Sequence, residues 1–166
     1  MTTTQRELLQ KIQDNQAIVF SVCNSYCSTK IDREDLAQEI FYQLWRSIDR
    51  YKSSTKFTTW MYRVALNVAI SFYRKHRSDR EVPLTLQEND VAESGPSNEA
   101  MEEHLRRVQR FIDEQKTLDR ALLLLYLERK PHAEIAEILG ITETNTATRI
   151  SRLKNKLKTY LLIHSS

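Results

Sequence analysis

Around residue 60 four aromatic side chains, Tyr51, Phe57, Trp60 and Tyr62, are interleaved with Lys52, Lys56 and Arg63. Aromatic faces stack on unpaired bases and cations attract phosphates, so this grouping suits a surface that holds single-stranded nucleic acid. The same residues also fit a helix-packing cluster with a charged rim. A second group lies near the C-terminus, where Thr144, Asn145, Thr148, Ser151, Arg152, Asn155 and Lys156 share one helical face. Short hydrogen-bonding side chains ahead of cations suit major-groove reading with phosphate anchoring. Catalytic chemistry has no comparable support. His76, His104, His132 and His164 are scattered, with no HExxH pattern, phosphate-binding glycine loop or paired ligand spacing. Cys23 and Cys27 stand four apart with no His nearby in sequence, and read as two buried thiols in a reducing compartment. No catalytic residue, metal or cofactor is expected.

Positioning these groups is a matter of chain organisation. The 166 residues carry a formal net charge of +3, too mild to establish a polyanionic partner by itself. Its distribution is more informative. Residues 72–80 are basic through Arg74, Lys75, Arg77 and Arg80, and the end is basic through Arg149, Arg152, Lys154, Lys156 and Lys158. Between them, 81–103 holds Glu81, Glu88, Asp90, Glu93, Glu99, Glu102 and Glu103 and no Lys or Arg. Two basic patches around an acidic segment suggest two contacts with a polyanion, joined by something that makes none. Pro83, Gly95 and Pro96, with several Ser, Asn and Asp, mark 79–98 as a flexible acidic linker. The expected domains are 1–78 and 99–166. Only two glycines and three prolines punctuate the chain, so long helices are favoured, and the fold class expected is all-α: two small helical domains. No run approaches the roughly 18 apolar residues of a membrane span, and the first residues lack a signal core. The expectation is therefore a cytoplasmic protein with no direct membrane insertion.

Within 34–51, Leu36, Ala37, Ile40, Phe41, Leu44, Trp45 and Ile48 form the apolar stripe of an amphipathic helix. Phe41 and Trp45 read as core residues and Asp32 as the N-cap, with Glu34, Asp35, Gln38, Glu39 and Arg46 on the opposite face. A second helix is predicted from about Thr58 to Arg77, after a polar loop and a Ser/Thr cap. Met61, Val64, Ala65, Val68 and Phe72 would form its buried face. Farther on, ALLLLYLE predicts a buried helix and Pro131 the first turn of the next. That helix carries Ile135, Ala136, Ile138 and Leu139 and stops at Gly140. Thr142 can cap a last helix bearing Ile150, Leu153 and Leu157. This is a helix-turn-helix pattern. A bare helical hairpin gives the same hydrophobic spacing, and the polar face of the last helix is what separates the two.

Two blocks make the sequence recognisable. Asp35-Leu36-Ala37-Gln38-Glu39-Ile40-Phe41, followed by Phe57-Thr58-Thr59-Trp60-Met61-Tyr62-Arg63-Val64-Ala65-Leu66-Asn67, closely resembles the second conserved region of extracytoplasmic-function (ECF) sigma factors. Tyr126-Leu127-Glu128, the run Glu134 to Ile141, and Arg149-Ile150-Ser151-Arg152-Leu153 resemble the fourth region. The resemblance implies a bacterial RNA polymerase sigma factor with regions 2 and 4 only. Such a protein binds core polymerase, directs initiation at −35 and −10 elements and aids promoter melting. It implies that Asp35, Gln38, Glu39 and Arg46 dock on the clamp coiled coil of the largest polymerase subunit, with a further contact to the flap. Lys56, Trp60, Arg63 and Asn67 would take the −10 element and hold an extruded base, with Arg74 and Lys75 on the backbone. Asn145, Thr148, Ser151 and Arg152 would read −35 base edges, with Arg149 and Lys156 on phosphates. A membrane-linked anti-sigma factor is a further implied partner, and the acidic linker would lie in a basic polymerase channel. The pattern departs at Thr146, usually Val, and at Ala147, commonly basic, so the −35 preference is expected to differ there. The alternative class is a stand-alone helix-turn-helix regulator that needs no polymerase.

Overall fold

Apolar spacing becomes helix throughout the described residues, 2–77 and 99–164 of the computed structural model, and no strand occurs among them. The chain divides into two compact units, Met1–Asn89 and Asp90–Ser166. In the first lie α1 (Thr3–Asp14), α2 (Gln16–Tyr26), α3 (Lys30–Ser47) with a 3-10 turn Ile48–Arg50, and α4 (Phe57–Arg77). The second holds α5 (Glu99–Glu114), α6 (Thr117–Leu127), α7 (His132–Leu139) and α8 (Glu143–Ile163). The all-α expectation holds. The expected linker, 79–98, lies outside the described residues.

Three helices, α2, α3 and α4, pack mutually to make the first core. Val19 and Val22 of α2, Leu36, Ile40 and Leu44 of α3, and Met61, Ala65 and Ala69 of α4 have no solvent exposure. Each large aliphatic side chain buried this way contributes about 1.5–3 kcal/mol relative to leaving it in water. The short α1 is set by a capping box: Gln5 N–H donates to Thr2 Oγ1 at 3.1 Å, and Thr2 N–H to Gln5 Oε1 at 2.9 Å. It is tied to the 3-10 turn by Gln5 Nε2 donating to Asp49 Oδ1 at 2.9 Å.

Several sequence expectations are corrected here. The N-cap of α3 is Thr29, whose hydroxyl accepts from Asp32 N–H at 3.2 Å in the extended backbone a cap requires. Asp32 therefore sits inside the first turn, where its charge suits the helix dipole. The buried stripe of α3 runs Leu36, Ala37, Ile40 and Leu44 and continues into Ile48 of the 3-10 turn. Trp45, one position and about 100° beyond Leu44, is 55% exposed rather than core. Phe41 is half-buried, edge-on to Phe20 at 6.0 Å. Helix α4 begins at Phe57 with Lys56 before it, whose carbonyl accepts from Trp60 N–H at 3.1 Å, so Thr58 and Thr59 lie inside the first turn. Its buried face is Met61, Tyr62, Ala65, Leu66 and Ala69, while Val64, Val68 and Phe72 are only half-buried.

Both cysteines are buried, free thiols. Burial pushes the Cys23 thiol up to about 11, against the opposing pull of Arg33. At pH 8 its thiolate fraction is then on the order of one in a thousand. In the folded chain Cys23 should resist iodoacetamide for hours and react within minutes in urea, as read by peptide mass. Rapid labelling of the native chain would contradict this packing.

In the second unit α6 is the centre, with Ala121, Leu122 and Leu125 fully buried, and both α7 and α8 lie against it. The buried Arg120 donates from Nη2 to the Asp113 carbonyl at 2.6 Å, fastening α6 to the end of α5. Pro131 occupies the N-cap position of α7, one residue before the expected first turn. Gly140 ends α7 in the left-handed region at φ 70°, which costs a glycine nothing. Thr142 then caps α8, its hydroxyl accepting from Asn145 N–H at 3.0 Å. The segment Gly140-Ile141-Thr142 is thus a tight turn between two packed helices.

Candidate nucleic-acid interface

On α4 and the residue before it, Lys56, Trp60, Arg63, Asn67 and Arg74 recur at spacings of three, four and seven. Such spacing lines one side of a helix, here over about 27 Å. Lys56, Asn67, Arg74 and the neighbouring Lys75 are exposed, whereas Trp60 and Arg63 are half-buried. The stripe lies opposite Met61, Ala65 and Ala69, so packing of that buried face aims it at solvent. The aromatic cluster divides between two roles. Tyr51, Phe57 and Trp60 rings lie 5.2–5.4 Å apart, but Phe57 and Tyr62 are buried at 8% and 3% exposure. Tyr51 donates its hydroxyl to the Thr55 carbonyl at 2.7 Å and closes the loop. Trp60 is the member that shares the stripe with Arg63 and Asn67.

Helix α3 presents Asp35, Gln38, Glu39 and Arg46, all exposed. Among them stand Tyr42 at 48% and Trp45 at 55% exposure, with Ile31 at 72% one turn earlier. Sequence reasoning missed Tyr42 and Ile31 on this face and misplaced Trp45. A signal was present: Tyr42 is three residues after Glu39 and four after Gln38. Between α3 and α4 runs a cleft of about 630 Å³. Asp35, Glu39 and Gln43 line one side, and Asn67, Ser71, Lys75 and His76 the other, with Val68 and Phe72 as apolar lining. The His76 ring stacks on Phe72 at 3.9 Å between centroids. Acidic residues from one expected site thus share a cleft with Asn67 and Lys75 from the other.

The outer face of α8 exposes Asn145, Thr148, Ser151, Arg152 and Lys156. Arg149 is turned aside: Nη1 lies 3.5 Å from Asp119 Oδ1, and Nε donates to Asn145 Oδ1 at 3.2 Å. Thr146 is fully buried and its hydroxyl donates to the Thr142 carbonyl at 2.9 Å. Its departure from the expected Val is therefore a core substitution, not a groove contact, and Ala147 is half-buried. Among the described residues no group of three His, Cys, Asp or Glu is placed to hold a metal, and no helix is long and apolar enough to cross a membrane.

The described residues define an all-helical fold with paired helices around a tight turn in its second unit. Known proteins make the assignment specific. Residues 12–79 match the family model for Sigma-70 region 2, and residues 105–157 that for Sigma-70 region 4. The chain is 29% identical over 157 residues to the ECF RNA polymerase sigma factor SigW of Bacillus subtilis (strain 168), covering 86% of this chain and 82% of that one. It is 24% identical over 177 residues to the ECF RNA polymerase sigma-E factor of Haemophilus influenzae, covering 93% and 94%. The fold is similar to that of CnrH, solved with the cytosolic domain of CnrY, at a TM-score of 0.69, 20% identity and coverage of 96% and 90%. It is equally similar, at 0.69 and 18% identity, to the sigma factor RpoE of Bartonella quintana solved with the anti-sigma factor NepR, covering 93% and 96%. This chain belongs to the ECF RNA polymerase sigma factors.

Proposed function

We propose that this sigma factor divides its work between the two units, with α3 and α4 serving core polymerase and the −10 element and α8 serving the −35 element. The observation that carries the reading is the stripe of Lys56, Trp60, Arg63, Asn67 and Arg74 on the side of α4 opposite its buried face, with a second polar face exposed along α8. Asp35, Gln38, Glu39 and Arg46 on α3, joined by Tyr42 and Trp45, make the polymerase-docking surface, toward the clamp coiled coil of the largest subunit. Lys56, Trp60, Arg63, Asn67 and Arg74 on the α4 stripe, with Lys75 beside it, take the opened −10 strand. Asn145, Thr148, Ser151 and Arg152 face the −35 major groove, with Lys156 on phosphate. The flap is the second polymerase contact. An anti-sigma factor is the expected regulator, given that both structural neighbours were solved in complexes, one with a named anti-sigma factor. The protein acts in the cytoplasm, as a binding factor that itself carries out no bond chemistry.

Family membership favours this over a regulator working without polymerase. A reconstituted run-off assay on a promoter library tests it: transcripts should appear only when core enzyme and this chain are both present. Tight promoter binding by the chain alone, with no transcript on adding core, would sink the reading. Within that assay Arg152→Ala and Lys156→Ala should differ in kind. Losing a base-edge contact relaxes sequence preference at one −35 position, at about 1–3 kcal/mol. Loss of a phosphate contact instead weakens all sequences alike and lowers the salt slope by about 1. Identical effects of the two variants would mean that Arg152 reads no base.

A further inference from the structure

Asp119 stands in the first turn of α6, remote in sequence from α8, yet its carboxylate meets Arg149 at 3.5 Å. The other edge of that guanidinium donates from Nε to Asn145 Oδ1 at 3.2 Å. A guanidinium has donors and no acceptor, so the amide atom facing it must be the oxygen. One of the two lone pairs of Asn145 Oδ1 is therefore engaged within the protein, and the amide is turned with its oxygen toward Arg149. Its Nδ2 hydrogens are directed away from Arg149, on an exposed residue in the first turn of α8. The Asp119 side chain is 24% and the Arg149 side chain 39% exposed, so the pair sits at the rim of the outer face.

We propose that Asp119 is a positioning residue that, through Arg149, holds Oδ1 of Asn145 to one side and makes the Nδ2 donor its reading group toward the −35 duplex. This rests on the reading of α8 as the −35 helix and names what one of its positions recognises. An asparagine normally pairs with adenine through both amide atoms, accepting from N6 and donating to N7. With Oδ1 turned toward Arg149, the amide no longer presents both atoms to one base edge, and the adenine pairing is the one that suffers. Adenine also has an acceptor at N7, but its N6 donor then meets no acceptor. Guanine offers two acceptors at N7 and O6 and thymine offers O4, so a donor is better served by either. The base opposite Asn145 is then G or T in preference to A. Arg149, gripped at both ends, no longer acts as the phosphate contact that its position in sequence suggests. Neutralising Asp119 releases Arg149 toward the backbone and Asn145 toward adenine.

The test is selection of duplexes randomised across the −35 element by the full chain at low salt. Wild type, Asp119→Asn, Asp119→Glu, Arg149→Met and Asn145→Ala are compared, each first checked for an unchanged melting temperature. Wild type should enrich G or T at one position, and Asn145→Ala should flatten that position. Asp119→Asn should raise the share of A there by on the order of tenfold and steepen the salt dependence by about one phosphate. Asp119→Glu should restore the wild-type profile. Arg149→Met should admit A without steepening the salt dependence, and gives an independent reading should Asp119→Asn fold poorly. A merely structural carboxylate would shift neither base preference nor salt slope. Unchanged profiles in both Asp119→Asn and Arg149→Met overturn the proposal, as does a flat wild-type profile. Run-off transcription with core on the selected duplexes is scored separately. G or T selection without any transcript would overturn the initiation reading and leave this clamp intact.

Discussion

Replacing Trp45 with alanine should cut affinity for core RNA polymerase by about 30-fold or more while leaving the fold almost as stable as before. The argument starts from exposure. At 55% accessible, Trp45 stands beside Tyr42, with Gln38 and Arg46 on the same face. Large aromatics ringed by polar groups are the usual anchors of protein interfaces, and truncating one costs about 2 kcal/mol or more in binding. That energy corresponds to the stated loss of affinity. Truncation at an exposed site away from core contacts usually changes folding stability by no more than about 0.5 kcal/mol. Had Trp45 been a core residue, as its apolar type suggests, truncation would cost about 3–5 kcal/mol of stability. Equilibrium binding to core and thermal melting of the free chain separate the two cases. A large fall in melting temperature with unchanged core affinity would remove Trp45 from the docking face. Gln38→Ala, at the rim, should cost several-fold less in affinity.

That example shows where sequence reading is strong and where it stops. The turn from α7 to α8 was legible because each part has a local cause. Gly140 alone tolerates the left-handed stop, and Thr142 carries its own cap acceptor. The polar face of α3 was legible too, since Asp35, Gln38 and Glu39 obey a helical period. What the period leaves open is how far the buried arc extends. On α3 the residues after Ile40 and Leu44 are Phe41 and Trp45, and only the placement of α2 and α4 decides whether that flank is covered. Similarly, α4 has apolar residues on both flanks of its buried face. Packing against α2 and α3 selects Tyr62, Leu66 and Ala69 over Val64, Val68 and Phe72. In α2 the buried Val19, Val22, Cys23 and Tyr26 recur at i, i+3, i+4 and i+7, a helical period with Phe20 left exposed beside it, so the face turned to α3 and α4 was there to read. Thr146 was the avoidable error. It lies four before Ile150 and seven before Leu153, in register with the core, and its chemistry obscured its position. The Asp119–Arg149 pair joins residues thirty apart, and no local pattern announces it.

Trp60→Ala should reduce transcription from fully paired promoters by roughly 10–100-fold and from pre-melted promoters by only a few-fold. Stacking of a base on an aromatic ring is worth about 1–3 kcal/mol, and it is available only once the base has left the duplex. A paired template must pay for unstacking, so losing the aromatic platform slows opening. A template mismatched across the −10 element has already opened and needs the platform less. The structure supplies a competing role, because the Trp60 ring, in the first turn of α4, has its centroid 5.4 Å from those of Phe57 in the same turn and Tyr51 in the preceding loop. Were packing its whole purpose, Trp60→Ala would loosen that loop and depress both templates equally, along with the melting temperature. Trp60→Phe distinguishes these outcomes further, since a smaller ring retains a stacking face. It should recover most paired-template activity. Phe57→Ala provides the structural contrast: at 8% exposure it supports the loop from within, and its loss should destabilise the chain and lower activity on both templates together. Equal loss on paired and mismatched templates for Trp60→Ala, with no recovery by Trp60→Phe, would reduce Trp60 to a packing residue and leave Arg63 and Asn67 to hold the strand.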